Sequence, residues 1–542
     1  MHKIDEVSEQ KLRGGFYTPQ AIASFVLDWA LYGYTDRNLD ILEPSCGDGV
    51  FLKEIGEKVS SYNRIKAIEI NQTEAKKSEE LNLPNLEVSK MDFHSYCNNT
   101  NDNFDLVVGN PPYIRYQFFD KEQQIHAARI FENAGLKYSK LTNSWVSFVV
   151  GSSMLLKDTG KIGFVLPAEI LQVSYAKPLR EFLSHFYNKI NIISFSQLVF
   201  EKIQQEVVLL LCEKNLTLEH KIEHLEVDNA EALKSLNVKK LVSPKKSIDF
   251  ESNKWTFYFL EQIEIDFLES LQKEDVLPKF GQLATAEVGI TTGSNSFFTV
   301  PLSTVQEYKL EQFAKPLVGR SVQVSSAVFT QSDWETNRDS EARTHLLVFP
   351  AASEICNHSG AMDYIAWGEE QGINTGYKCR IRDEWQIVPS LRISDALFLR
   401  RNYIFPKLVD NLAKAYTTDT MHRVTINGNT NKKAFIASYY NSLSLAFTEI
   451  CGRSHGGGVL ELMPNEVEEI RIPYSPNNDN LLKTLDVQFR KQKDISEILE
   501  ISNQKILVNE FGFSKADVNI ADGIWKKLVN RRMKRSKKNI LT

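Results

Sequence analysis

Asp105-Leu106-Val107-Val108-Gly109-Asn110-Pro111-Pro112-Tyr113 is the stretch on which the reading of this chain turns. Its first half is a short apolar run of the kind that forms a buried strand. Its second half ends that strand abruptly. Pro111 and Pro112 have no N–H to give to a ladder, and they hold the chain extended. Asn110 therefore stands at the carboxyl end of a strand, with its side-chain amide and a neighbouring carbonyl facing outward. Ligands of open α/β sheets bind along that edge. A neutral amide, a stiff carbonyl and an aromatic ring together suit a planar amine. The same letters also describe a strand-ending turn with a buried Tyr, and a motif this short arises by chance.

The residues upstream add weight. Leu39–Leu42 reads as a strand, Glu43-Pro44-Ser45-Cys46-Gly47-Asp48-Gly49 as a tight turn, and Phe51, Leu52 and Ile55 as the start of a helix. That succession opens a doubly wound fold. A third glycine is missing after Gly49, and an acid, Glu43, closes the strand. Both features count against a nicotinamide dinucleotide, whose pyrophosphate needs bare amides, and favour a ligand that carries a cation. Arg64–Glu69 is the next strand, ending on an acid about 20 residues beyond the turn, where such folds hold ribose hydroxyls. Leu86–Val88 is a third, with Asp92 and Phe93 just past it. A carboxylate can accept from an adenine amino group, and a Phe ring can pack on the base. One such acid is an ordinary loop residue, whereas three at successive strand ends form a pattern.

Gly14-Gly15-Phe16-Tyr17-Thr18-Pro19 precedes this region. Thr18 reads as an N-cap and Pro19 as the first helical residue, ahead of Ile22, Phe25, Val26 and Trp29 on one face. Such a helix start attracts an anionic group such as a carboxylate. Past Tyr113, residues 115–141 read as a polar, partly helical segment over the site. Trp145 to Leu156 reads as an apolar helix and Lys161–Pro167 as a fifth strand. A helix near 170–187 and a strand at 191–196 follow. Glu206–Leu211 reads as a strand antiparallel to the one before it.

The length of 542 residues predicts two or three domains, and 42% hydrophobic with 25% charged residues is the composition of a soluble globular protein. No apolar run reaches membrane-spanning length, and the first residues lack the core of a signal peptide. Six cysteines lie far apart with no Cys-x-x-Cys pair, so neither a disulfide framework nor a zinc site is expected, and the setting is expected to be cytoplasmic. A net charge of −5 speaks against a nucleic-acid binder as a whole, yet Lys526–Lys538 holds eight cations and no acid. Such a run is a solvated chain end first and a phosphate-binding element second. Lys239, Lys240, Lys245 and Lys246 sit in a polar connector. From 280 to 475, short strands alternate with loops that include Gly289–Phe298, Arg400–Tyr403, His422-Arg423 and Cys451–Gly458. Lys378, Arg380 and Arg382 would share one side of an extended segment. Loops of this kind can follow a phosphate backbone and reach base edges, or simply cover a surface. Residues 480–510 read as one amphipathic helix.

In order and content these motifs resemble the amino-group DNA methyltransferases that use S-adenosylmethionine, in particular the gamma, TaqI-like group of restriction-modification systems. The resemblance is detailed over residues 14 to about 215 and loose over 240–475. It implies a doubly wound, Rossmann-like α/β methyltransferase domain with an antiparallel last strand over residues 14–235. An α+β target-recognition domain over 236–478 and a helical segment with a basic tail over 479–542 would follow. Tyr17, Thr18 and Pro19 would lie against the methionine moiety. Glu43, with the turn through Ser45, Gly47 and Gly49, would hold the amino-acid end. Glu69 would take the ribose hydroxyls, and Asp92 and Phe93 the adenine. Asn110 and Pro111 would hold the substrate amine, Tyr113 would stack on the target base, and Phe200 would form a second aromatic wall. No metal is implied. The expected reaction is methyl transfer to N6 of an adenine flipped out of double-stranded DNA. The chain has no Pro-Asp dipeptide, so a fused nuclease of the Pro-Asp…Glu-x-Lys type is not expected, and any cutting partner would be another chain. A protein glutamine amide or ribosomal RNA is the alternative substrate. The early Gly-Phe-Tyr-Thr-Pro element and about 300 residues after the catalytic domain favour DNA.

Overall fold

Strand Phe104–Gly109 lies in the middle of a nine-stranded sheet, buried on both faces except at Asp105. The computed structural model describes residues 18–34, 38–139, 142–200, 205–215, 220–241, 245–246, 254–273 and 276–535. They fall into two compact units, the first running to Ile265 and the second comprising chiefly Asp266–Ser454 and Gly458–Met533.

In the first unit, helix α1 (Gln20–Leu31) precedes β1 (Asp40–Glu43), α2 (Val50–Lys58), β2 (Arg64–Ile68), α3 (Gln72–Glu79), β3 (Leu86–Ser89) and α4 (Phe93–Asn99). Next come β4 (Phe104–Gly109), α5 (Lys121–Asn133), α6 (Ser144–Met154), β5 (Leu156–Pro167) and α7 (Lys177–Phe186). Strands β6 (Lys189–Phe195), β7 (Val207–Glu213), β8 (Lys221–Val227) and β9 (Lys245–Lys246) complete it. The spatial order is β3-β2-β1-β4-β5-β7-β6-β8-β9. Strands β1 to β5 are parallel, and β7 runs antiparallel to both β5 and β6. This is the doubly wound sheet with a reversed strand that the sequence predicts. The chain leaves β1 toward β2 on one side and returns to β4 on the other, so β1 and β4 flank the topological switch point where such sheets bind ligands. Helix α1 lies so close on β5 that a Cβ on Gly163 would meet Val26 Cγ1 at 2.6 Å.

Several expected boundaries shift. Pro19, not Thr18, is the residue before α1, and no side chain caps that helix. Thr18 Oγ1 instead accepts from Asn110 Nδ2 at 3.1 Å, so the hydroxyl is engaged elsewhere. Helix α6 stops at Met154, and Leu156 already belongs to β5, where it pairs with Phe104. Residues 115–139 carry α5, entered through a capping box between Asp120 and Gln123.

The second unit has a five-stranded sheet in the order Ala284–Val288, Met421–Ile426, Ala396–Leu399, Leu408–Asn411, Val328–Phe329, beside two smaller sheets. Gly289 follows the first of these strands because a Cβ there would stand 2.0 Å from the Thr418 carbonyl oxygen. Lys378 and Arg380 lie in a single helical turn, Tyr377–Arg380, so they do not share one side of an extended segment with Arg382. The expected helix over 480–510 is three pieces, Asp479–Arg490, Ile495–Ser502 and a π-helical run Asn503–Glu510.

The basic tail differs most from expectation. Up to Lys534 it is part of a 20-residue helix, Lys515–Lys534. Arg532 is 1% exposed and bonds Glu449 through Nε at 2.9 Å and Nη2 at 2.6 Å. It also donates to the carbonyls of Tyr403, Ile404 and Gly458. Every guanidinium direction is thus satisfied, which is the condition for burying that charge at all. Residues 536–542 lie outside the described part. Glu449→Ala leaves Arg532 buried without its anion. We expect it to destabilise the second unit by about 3 kcal/mol, read from the denaturant midpoint, with Glu449→Gln losing less because it keeps an acceptor.

Candidate active site

The carboxyl ends of β1, β2 and β4 and the start of α4 surround a cleft of about 560 Å³. Thr18, Glu43, Ser45, Gly47, Glu69, Asp92, Phe93 and Asn110 all line it. Five of its lining residues are acids (Glu43, Asp48, Glu69, Glu74 and Asp92), and none is Lys or Arg. A pyrophosphate would meet only repulsion there, whereas a ligand bearing a cation is favoured.

Glu43 is the extreme case. It is 1% exposed, and its Oε2 has no hydrogen-bond partner among the described residues. Burial, and then the charges of Asp48 and Glu69, hold its carboxyl well above the usual glutamate range. A buried acid without a partner is costly unless a ligand supplies one. An ammonium group is such a partner.

Glu69 braces the turn that follows β1. Its Oε2 accepts from Gly47 N at 3.0 Å and its Oε1 from Asn71 N at 2.8 Å. Burial raises its pKa. The turn needs its glycines: Gly49 has φ of 80°, and a Cβ there would meet Leu81 Cδ1 at 2.9 Å. At Gly47 the Cβ position opens onto free space, so the backbone presents itself bare to the cleft.

Asp92 caps α4, accepting from Ser95 N at 2.8 Å, and meets His94 Nδ1 at 3.1 Å. Burial raises its pKa, but His94 and the Ser95 amide outweigh that effect, and the net shift is downward. A carboxylate has about four acceptor sites, so it keeps capacity for a ligand donor. Phe93 stacks on Phe148 with centroids 4.6 Å apart.

Asn110 is held from three directions. Its Nδ2 donates to Thr18, its main-chain oxygen accepts from Ser45 Oγ at 3.2 Å, and its Oδ1 lies 2.9 Å from the Tyr113 hydroxyl. The Tyr113 hydroxyl also lies 3.1 Å from the Val165 carbonyl oxygen, and burial drives its pKa well up.

Not every expected site residue lines this cleft. Pro19 precedes α1, and Pro111 is buried beside Asn110. The Tyr113 ring packs against the core of the first unit, anchored by its hydroxyl contacts, and Phe200 belongs to that same core with Phe195 and Val207. Tyr17 lies outside the described residues. Conversely, Ile70, His94, Phe119, Gln123 and Phe148 line the cleft without having been singled out. His94 directly follows the Asp92-Phe93 pair, whereas nothing local marks Phe148. Among the described residues, no group of three or more His, Cys, Asp or Glu is arranged to hold a metal, and no helix is long and apolar enough to cross a membrane.

A doubly wound sheet with a reversed β7, acids at the first three strand ends and an amide at the fourth suit a methyltransferase. Comparison with known proteins agrees. Residues 30–200 match the family described as Eco57I restriction-modification methylase, and residues 252–507 match the Type II methyltransferase M.Eco57I, C-terminal domain. Type II methyltransferase M.AccI of Acinetobacter calcoaceticus is 23% identical over 485 residues, which is 86% of this chain and 86% of that one. Type II methyltransferase M.HincII of Haemophilus influenzae is 25% identical over 241 residues, 44% of each chain. The structure of the type IIG restriction endonuclease BpuSI aligns with a TM-score of 0.41 and 14% identity over 96% of this chain and 67% of that one. The sequence matches support the Type II restriction-modification methyltransferase family, Eco57I-like, for this chain. S-adenosylmethionine is the cofactor of such a methyltransferase, and the acid-lined cleft suits its two cationic centres.

The raised pKa of Glu43 has a consequence for the unliganded protein. The folded state holds that proton more tightly than the unfolded chain, so stability falls as pH rises from the ordinary glutamate range through the raised value. Glu43→Gln removes this loss. Unliganded Glu43→Gln should melt higher than the parent at about pH 8, with the gap closing toward about pH 4, as thermal scans will read.

Proposed function

We propose that this chain is a site-specific DNA methyltransferase that moves a methyl group from S-adenosylmethionine to N6 of an adenine flipped out of double-stranded DNA. It would be the modification component of a restriction-modification system, acting in the cytoplasm, with any nuclease on a separate chain. The observation that carries this reading is the Asn110 side-chain amide, held at the carboxyl end of β4 on the rim of the acid-lined cleft.

Bound in that cleft, S-adenosylmethionine supplies an electrophilic methyl group. Glu43 and the bare backbone at Gly47 would hold its amino-acid end, with Thr18 and Pro19 beside the methionine chain. Glu69 would take the ribose hydroxyls, and Asp92 and Phe93 the adenine. The target amine is a weak nucleophile because its lone pair is delocalised into the ring. Asn110 Oδ1 and the Pro111 carbonyl would each accept one of its hydrogens. That draws the nitrogen toward tetrahedral geometry and localises the lone pair. Positioning and fixed dipoles then lower the barrier without a strong base. An aromatic ring, from Tyr113 or Phe200, would offset part of the cost of unstacking the base, a few kcal/mol. In the structure Tyr113 is anchored inward, so stacking by this ring requires it to give up its hydroxyl contacts.

The match over residues 252–507 to a Type II methyltransferase C-terminal domain supports DNA over a protein amide or ribosomal RNA, since it extends the kinship far beyond the catalytic unit. Asn110→Ala should lower methyl transfer by about 10²- to 10³-fold or more while leaving S-adenosylmethionine binding largely intact. Sequencing DNA from expressing cells for N6-methyladenine checks the substrate. A wild-type protein that leaves no methylated adenine motif would overturn the adenine assignment.

A further inference from the structure

A continuous set of hydrogen-bonded groups joins Asp92 to the loop that carries Asn110. His94 Nδ1 meets Asp92 Oδ1 at 3.1 Å, and His94 Nε2 meets Ser147 Oγ at 2.7 Å. Ser147 Oγ lies 2.8 Å from the Ser144 carbonyl oxygen. Ser144 in turn clamps the loop: its amide donates to the Ile114 carbonyl at 2.8 Å, its hydroxyl accepts from the Ile114 amide at 2.9 Å, and that hydroxyl donates to the Pro112 carbonyl. His94, Ser144 and Ser147 are each 2% exposed, so water does not compete for these bonds.

Ser147 is the branch point. Its hydroxyl has one proton and two neighbours able to accept it, the His94 ring nitrogen and the Ser144 carbonyl. Which one receives the proton depends on which His94 nitrogens carry hydrogen, and that depends on the demand Asp92 makes on Nδ1. A donor group arriving at Asp92 changes that demand. In a dry network each bond polarises the next.

We propose that His94, Ser147 and Ser144 are positioning residues that couple occupancy of the adenine end of the cofactor cleft to the geometry of the Asn110–Tyr113 loop. The proposal rests on the reading of the cleft as an S-adenosylmethionine site. Occupancy at Asp92 fixes the Ser147 proton, stiffens the first turn of α6, and tightens the clamp on Pro112 and Ile114. The loop then reaches its amine-holding geometry when a donor is present and is looser when none is.

The test uses the full chain and S-adenosylhomocysteine, which carries the adenine but has no methyl to give. Calorimetry reads its binding, and hydrogen exchange reads the Ile114 amide. In the wild type, bound S-adenosylhomocysteine should slow exchange at Ile114 by about tenfold. Ser147→Ala should still bind it yet lose that slowing, and Ser147→Thr, which keeps a hydroxyl, should restore it. Ser144→Ala should exchange fast at Ile114 with or without the compound. With donor saturating, Ser147→Ala should lower single-turnover methyl transfer by about tenfold or more with little change in the KM for DNA. If Ser147→Ala binds the compound and shows the full wild-type slowing, the coupling is overturned while the cofactor reading stands. If the wild type fails to bind the compound, the cofactor reading falls and the coupling with it. If the slowing behaves as expected but no DNA is methylated, the coupling stands and the adenine assignment falls.

Discussion

The carboxyl group of Glu43, sealed at the end of β1 with one oxygen unmatched among the described residues, is the constraint around which the first unit is arranged. Burying it requires a solvent-poor strand end, which the parallel sheet supplies. Leaving it unmatched requires that no lysine or arginine lie near, and none lines the cleft. The neighbouring acids make ionisation there harder still. A site complete in itself would have nothing left to offer a positive ligand.

The parts of this molecule that were legible in the sequence are those set by a few adjacent residues. A strand that stops at two prolines, a glycine turn after an acid, and a Phe behind an Asp each declare their place locally. Parallel strands then bring those places to one edge. The reversal at β7 followed from an apolar run and its spacing, whereas the strand order is visible only in the fold. The remainder depends on packing across the sequence. Phe148 and His94 reach the cleft because α4 and α6 pack against one another, and no period in either segment announces it. Thr18 looked like a cap because Pro19 follows it, yet an amide 92 residues away engages its hydroxyl. Arg532 looked like one charge in a solvated run, and only the fold reveals that Glu449 waits for it.

The contacts of Asn110 show how a short motif gains meaning from its surroundings. Thr18 engages its side-chain nitrogen, Ser45 its main-chain oxygen and Tyr113 its side-chain oxygen. Together these bonds give the amide a defined direction. An Asn-Pro-Pro-Tyr sequence in an ordinary turn would have neither the direction nor the acid-lined neighbour.

The ion pair between Glu449 and Arg532 also says something about the order in which the chain becomes a protein. All of β1 to β8 has been made by residue 227, so the sheet of the first unit can close early in synthesis. The second unit encloses Glu449 but lacks the guanidinium that neutralises it until residue 532 has emerged. Over that interval of translation its interior holds an anion with no cation. A ribosome that stops short of Arg532 would release a chain whose second unit lacks the cation of Glu449 and whose first unit lacks Arg535, the ion-pair partner of Glu206, and both units would be open to unfolding and proteolysis.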